Sequence, residues 1–362
     1  MITSERVEEL SDIRPFGSTM WLRNHWYVAA WAHDVGAELT ARTILDEPVI
    51  VYRLPDGDVV ALEDRCAHRS LPLSMGCLVG EVVQCGYHGL RYDRNGRCVS
   101  IPGQDSIPNR ARVKVFPTVE RDRLVWIWMG DPERADPAAV PDMHWLVDRR
   151  WTCSIGYHHI AANYRLLNDN LLDLSHESFV HVETIGSRAV AESPVKAEII
   201  DDREVRVSRF MADCDPPPFY VKASGFTERI DRWHTTIFHP PSTLVIENGS
   251  KPAGATDPAT FAERRVINLI TPETASSSHY FWAIARAYEL DDPGLTEYIR
   301  SNVVSTFDQD KAVLEAQQRV IAANPDDGFP ISIKTDAGPI LARRLLDRTL
   351  EREHRANALP IR

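Results

Sequence analysis

The chain has 362 residues, 43% of them hydrophobic and 26% charged, and a formal net charge of −11. That length exceeds what one core usually serves, so two domains are expected within an ordinary globular composition. The acid surplus argues against nucleic acid or an anionic membrane as partner, because both reward Lys and Arg, and leaves open docking to a basic patch on a protein.

The start is polar and acidic, unlike a secretory signal, and no apolar run reaches the roughly 18 residues of a membrane helix, so a cytoplasmic protein is expected. Residues 1–20 show no hydrophobic period and read as an N-terminal arm. Across 21–135, short β-branched or aromatic runs at 48–53, 59–63 and 124–129 are separated by turn signals. Asp56-Gly57 and Asn95-Gly96 are expected hairpin turns, because both supply φ > 0. This first domain is therefore expected to be all-β. The segment 131–141, rich in Pro, Ala and charge, reads as the boundary.

The second domain, 140–362, is expected to be α+β. Residues 151–180 pass from strand-like into helical sequence, and 195–213, 234–248, 264–272 and 278–288 alternate as strands. Helices are expected over 293–323, where Ile299, Val303, Phe307, Leu314 and Val320 recur at helical spacing, and over 336–356.

Two ligand clusters fall on this frame. Cys66-Ala67-His68 and Cys85-Gly86-Tyr87-His88 present one thiolate and one imidazole from each of two loops, the set that a Rieske 2Fe-2S centre requires. Tetrahedral zinc also accepts two Cys and two His, but zinc fingers usually pair Cys with Cys and His with His. The other cysteines, Cys77, Cys98, Cys153 and Cys214, need no disulfide framework in a cytoplasmic chain.

The second cluster lies in 168–181. Asn170, Asp173 and His176 recur every third residue along one side of a helix. His181 lies roughly 140° further round than His176, so the two imidazoles can meet one metal only where the helix distorts or ends. Two His and one carboxylate, arranged facially, are the ligands of non-haem Fe(II) oxygenases. Asp310 is the candidate carboxylate and Asp308 its rival; two apart on a helix, only one of them can face a metal. Asp173 also reads as a capping carboxylate, and Asn170 as an amide bonding backbone at a helix irregularity. The second ring nitrogen of His176 is expected to find Asp173.

Together, Cys66-x-His68, Cys85-Gly-Tyr-His-Gly-Leu90 and Asn170-x-x-Asp-x-x-His176-x4-His181 resemble the oxygenase components of Rieske non-haem iron oxygenases. The likeness runs from Trp26 to about residue 350. Asp169–His176, Leu269–Thr274, His279–Trp282 and Asp310–Gln318 make it most similar to the vanillate and dicamba O-demethylase branch. That resemblance implies a Rieske domain joined to a helix-grip (START/Bet v1-like) catalytic domain, a head-to-tail homotrimer, and Asp310 rather than Asp308 as the iron carboxylate. It implies that Asp173 links His176 to His68 or His88 of a neighbouring subunit for electron transfer. It also implies a reductase partner and O₂-dependent oxidation of an aromatic substrate, a methoxy-aromatic acid first of all, with release of formaldehyde. The chain departs from the family in carrying Gln309 where relatives often have Glu, and in its N-terminal arm.

Without a GxGxxG or Walker-type loop in the sequence, NAD(P)H and flavin are expected on the reductase. Val245, Asn268, His279 and Asn302 are the candidate pocket residues; Asn268 and Asn302 would suit a polar ring substituent, and read equally well as surface amides. Ring-, methyl- or N-alkyl-hydroxylating monooxygenases and cis-dihydroxylating dioxygenases share every metal ligand and stay open as alternatives. A zinc-stabilised binding module would need neither His176, His181 nor Asp310. A ferredoxin-like carrier would need only the first domain.

Overall fold

The structure, a computed structural model, describes residues 21–324 and 331–358; the expected arm, 1–20, lies outside the described residues. The smaller of its two units comprises Arg23–Met143 with Thr271–Thr274. It is built from strands β1 (Trp26–Trp31), β2 (Thr40–Ile44), β3 (Glu47–Arg53), β4 (Val59–Glu63), β5 (Cys77–Val79), β6 (Val82–Gln84), β7 (Arg91–Tyr92), β8 (Cys98–Ser100), β9 (Val115–Phe116), β10 (Thr118–Arg121) and β11 (Leu124–Trp128). They form three sheets, ordered β1-β11-β10, β2-β3-β4-β9 and β5-β6-β7-β8. Both expected turns are present: Gly57 (φ 97°) closes the β3–β4 hairpin and Gly96 (φ 69°) lies between β7 and β8.

This unit buries Ile50, Tyr52, Leu62, Val83 and Tyr92 in one cluster that also contains Cys66 and Cys85. Ile50 and Leu62 are fully buried, and each such side chain stabilises the fold by about 1.5–3 kcal/mol. The two metal-binding loops are thus rooted by their cysteines in the hydrophobic core.

The larger unit takes in His144–Ile270, the described residues from Ala275 onward, and Trp21 and Leu22. Strand β12 (Thr152–Ile160) is followed by helices α1 (Tyr164–Leu172), α2 (Glu177–Val180) and α3 (Arg188–Glu192). Then come β13 (Val195–Ile200), β14 (Glu204–Cys214), helix α4 (Pro218–Ser224), and strands β15 (Ile230–His239), β16 (Thr243–Pro252), β17 (Ala262–Thr274) and β18 (Ser277–Arg286). The sheet order β12-β18-β17-β16-β15-β14-β13 makes a seven-stranded sheet, and the long helices α5 (Pro293–Ala323) and α6 (Ala337–Ala358) complete a helix-grip fold.

Two runs expected as single strands are hairpins. The run 195–213 turns at Asp201-Asp202, both at positive φ, and 234–248 lies across the β15–β16 connection at Pro240-Pro241. Apolar alternation continues on both sides of each turn, which hides the break, although proline cannot donate to a strand ladder.

Helix α5 buries Ile299, Phe307, Asp310, Leu314 and Gln318, a stripe with the three- and four-residue spacing of one helix face. An aspartate thus occupies a core position between Phe307 and Leu314. No helix among the described residues is long and apolar enough to cross a membrane.

Candidate metal centres and cavity

The Rieske-type loops of the smaller unit share one backbone design. In the first, Cys66 N–H donates to Leu71 O and Ser70 N–H to Cys66 O; in the second, Cys85 N–H donates to Leu90 O and Gly89 N–H to Cys85 O. Both turns need a left-handed residue at the same place, supplied by Ser70 (φ 56°) and Gly89 (φ 72°). Cys66 and Cys85 are each 2% exposed, whereas His68 and His88 lie at the surface with ring centroids 4.6 Å apart. Sulfur ligands inside and imidazoles outside fit a 2Fe-2S cluster whose two irons take different ligands.

Tyr92 completes this loop pair: its hydroxyl accepts from Ala67 N–H at 3.1 Å and faces Cys66 Sγ at 3.2 Å, so with a thiolate there the O–H donates to sulfur. Burial pushes the Cys85 thiol pKa up, opposed by the main-chain amides of Tyr87 and His88. Sequence reasoning passed over Tyr92, which lies outside both motifs.

In the larger unit, helix α1 ends at Leu172 because Asp173 leaves helical geometry (φ −114°, ψ 88°). The Asp173 carboxylate caps the next turn, accepting from Ser175 N–H at 3.0 Å and Ser175 Oγ at 2.6 Å. His176 ends that 3-10 turn, and His181 terminates α2. This interruption turns both imidazoles toward one point, as their five-residue separation demands.

Opposite them stands Asp310 of α5, with Oδ1 3.4 Å from His176 Nε2 and 3.2 Å from His181 Nε2. Ligands bound at about 2.1 Å and at right angles to one another lie about 3 Å apart, so this trio fits a facial metal site. The three ligand atoms all lie within 4.8 Å of one another. Asn170 Nδ2 donates to Asp310 Oδ1 at 3.1 Å, so Asn170 orients the carboxylate rather than bonding backbone. Asp308 is exposed and faces His158 Nε2 at 3.3 Å, away from the trio.

The remaining ring nitrogens are occupied. His176 Nδ1–H donates to the main-chain carbonyl of Asp173 at 2.6 Å, and His181 Nδ1–H to Gln309 Oε1 at 2.7 Å. These bonds fix the ring orientations and leave both Nε2 atoms facing Asp310, free to bind a metal once any proton there is displaced. Asp173 is therefore the partner of His176, through its backbone and not its carboxylate. Burial alone would lower the His176 pKa, but hydrogen bonding to Asp310 and its charge outweigh burial and raise it to about 9. Burial raises Asp310, and the two imidazoles overcome it and hold the carboxyl well below its usual range.

The trio lines a cavity of about 730 Å³ of empty space, part of it open to solvent. Phe219, Ile246, Val266, Ile284, Val303 and Phe307 form apolar walls; Asn248, Arg264 and Asn302 add polar ones. Asn302 is among the lining residues, whereas the three other candidate pocket residues are not. Val245 is buried on the opposite face of β16 from Ile246 and Asn248, the residues that line the cavity, because successive strand residues alternate faces. His279 lies on the other face of β18 from Tyr280 and Trp282, which pack on Phe307, and bonds Tyr157 Oη at 2.9 Å. Asn268 has the same parity as Val266 and Arg264 but is fully buried, with its Oδ1 taken by Tyr280 O–H at 2.6 Å. Counting back by two from Asn268 would have found Val266 and Arg264.

Comparison with known proteins agrees with both halves of this geometry. Residues 25–117 match the family profile described as the Rieske 2Fe-2S domain, and residues 160–352 that of the vanillate O-demethylase oxygenase C-terminal domain. The iron–sulfur subunit of the toluene-4-sulfonate monooxygenase system of Comamonas testosteroni is 40% identical over 94% of this chain and 100% of its own length. A vanillate O-demethylase oxygenase subunit from Pseudomonas sp. (strain HR199 / DSM 7063) is 36% identical over 93% of this chain and 97% of its own. Two solved structures of dicamba monooxygenase, each 34% identical and covered in full, also match. The one bound to 3,6-dichlorosalicylic acid has a TM-score of 0.87 over 94% of this chain, and the one with non-haem iron and dicamba 0.80 over 93%.

Proposed function

Since the chain belongs to the Rieske non-haem iron oxygenases with a vanillate O-demethylase-type C-terminal domain, we propose that it is a terminal oxygenase that demethylates a methoxy-aromatic acid. The observation that carries this reading is the meeting of His176, His181 and Asp310 at the wall of an apolar cavity. Cys66, His68, Cys85 and His88 hold the 2Fe-2S cluster, and His176, His181 and Asp310 hold the mononuclear iron. When bound, these groups supply electron storage and reductive activation of O₂.

The chain's own residues prepare that chemistry. Asp173 O and Gln309 Oε1 lock the two imidazoles, Asn170 orients Asp310, and the apolar walls exclude bulk water from the reacting carbon. One oxygen atom enters the ether methyl group and the other leaves as water, with two electrons and a proton taken from NAD(P)H and a second proton from solvent. The resulting hemiacetal breaks its C–O bond to give a phenol and formaldehyde.

The electrons come from a separate reductase carrying flavin, a reading supported by the absence of a dinucleotide-binding GxGxxG loop from the sequence. Family resemblance supports a cytoplasmic head-to-tail homotrimer in which Asp173 links His176 to His68 or His88 of the neighbouring subunit. The half-buried Asp173 carboxylate, adjacent to the carbonyl that holds His176, suits that role.

A second reading, hydroxylation of an arenesulfonate at its ring methyl group, is favoured by the 40% identity to the toluene-4-sulfonate subunit. Feeding the reconstituted holoenzyme with methoxybenzoates and with toluene-4-sulfonate separates the two. Formaldehyde from the former supports demethylation, a benzylic alcohol from the latter supports methyl hydroxylation, and cis-diols from either overturn both.

A further inference from the structure

We propose that Arg264 is the anchor for an anionic group on the substrate, an aryl carboxylate or sulfonate; the proposal deepens the oxygenase reading and rests on it. Arg264 lies on β17, lines the same cavity as His176, His181 and Asp310, and is only 2% exposed. Its cross-strand neighbour Asn248 accepts from Nε at 3.2 Å, and Tyr288 Oη accepts from Nη1 at 2.9 Å. The guanidinium also stands 4.6 Å from the ring centroid of Tyr220. The group is thus fixed in position from three sides.

One donor nitrogen is left over. Arg264 Nη2 is buried without a hydrogen-bond partner, and among the described residues no carboxylate forms an ion pair with Arg264. The cavity's own acids are matched elsewhere: Glu177 faces Arg232 at 3.7 Å, and Asp310 faces the two metal-binding imidazoles. A buried cation with no counter-charge is costly, and arginine cannot shed its proton to relieve the cost. An anion entering the cavity beside this guanidinium would supply the missing counter-charge.

The guanidinium presents N–H donors in a plane, which suits the oxygens of a carboxylate or sulfonate. Apolar walls around this guanidinium suit the ring that bears the anion. Such a clamp orients a one-ring substrate by its charged end and leaves a methyl-bearing substituent to face the metal ligands. It accounts for specificity that the metal ligands, shared across the family, do not supply.

The test measures anaerobic equilibrium binding to the holoenzyme of 4-methoxybenzoate, toluene-4-sulfonate and the neutral methyl ester of 4-methoxybenzoate. Wild type is expected to bind at least one anion roughly ten- to a hundredfold more tightly than the ester. Arg264→Met is expected to erase that preference with iron content and cluster spectrum unchanged, and Arg264→Lys to restore part of it. The anion whose affinity falls identifies carboxylate or sulfonate as the ligand. If Arg264→Met does not fold, the wild-type ratio and the Lys variant decide. An ester bound as tightly as the acids, or a preference that survives substitution, overturns the clamp and leaves the oxygenase reading standing. Failure of wild type to take up any of the three overturns the substrate class and the clamp with it.

Discussion

Replacing Gln309 with Leu isolates what holds one metal ligand in place. His181 is 1% exposed, and its Nδ1–H has Gln309 Oε1 as acceptor at 2.7 Å. Leucine fills similar volume but accepts nothing, so a buried N–H loses its partner at a cost of about 1–3 kcal/mol. Because that bond also sets the tautomer and aim of Nε2, the loss is expected in metal affinity, about 10- to 100-fold. Gln309→Glu keeps an acceptor oxygen and is expected to hold iron at least as well as wild type. Iron retained per chain after dialysis against graded chelator measures the effect, with the visible spectrum of the 2Fe-2S cluster as internal control. A Leu variant that keeps mononuclear iron as wild type does would refute the claim that Gln309 positions His181.

Other substitutions separate electron delivery from metal binding. Asp173→Asn keeps the main-chain carbonyl that holds His176, so both metals are expected to stay bound while turnover falls at least about tenfold; near-wild-type turnover would remove Asp173 from the electron route. Tyr92→Phe deletes the O–H facing Cys66 Sγ, a donor that stabilises the more negative, reduced cluster, so the reduction potential is expected to drop. An unchanged potential in protein-film voltammetry would show that this bond carries no weight. In the iron-free protein, His176 has its pKa raised to about 9, so the imidazolium persists at pH 7 and iron must displace a proton. Iron affinity is therefore expected to rise with pH, by up to about tenfold per unit, until about pH 9. The stability that this proton lends the empty site is present below the ordinary histidine pKa and lost as pH rises through about 9. A pH-independent affinity between 7 and 9 would contradict the Asp310–His176 coupling.

Metal-loop chemistry was legible in the sequence because each loop is local: Cys66 and His68, or Cys85 and His88, lie within one turn whose backbone closes on itself. The broken helix at Asp173 was legible too, since a five-residue interval between His176 and His181 cannot serve one metal on a regular helix. Choosing Asp310 over Asp308 needed the family resemblance, although the α5 stripe of Phe307, Asp310 and Leu314 already places Asp310 inward. Pocket residues were read less well, for a physical reason. A one-residue error in strand parity sends a side chain to the other face, as with Val245 and His279, while Asn268 has the right parity and is sealed behind Tyr280. Tyr92 and Gln309 act on ligands that belong to other segments, and only the folded chain brings such partners together.

The most direct measurement is iron content combined with electron paramagnetic resonance on wild type and Asp310→Ala. About three irons per chain are expected in wild type, two in the cluster and one at the His176–His181–Asp310 site. In Asp310→Ala the count is expected to fall to about two with the reduced-cluster spectrum unchanged. Zinc in place of iron, or a full iron count in the variant, would contradict the assignment of an oxygenase iron to this site.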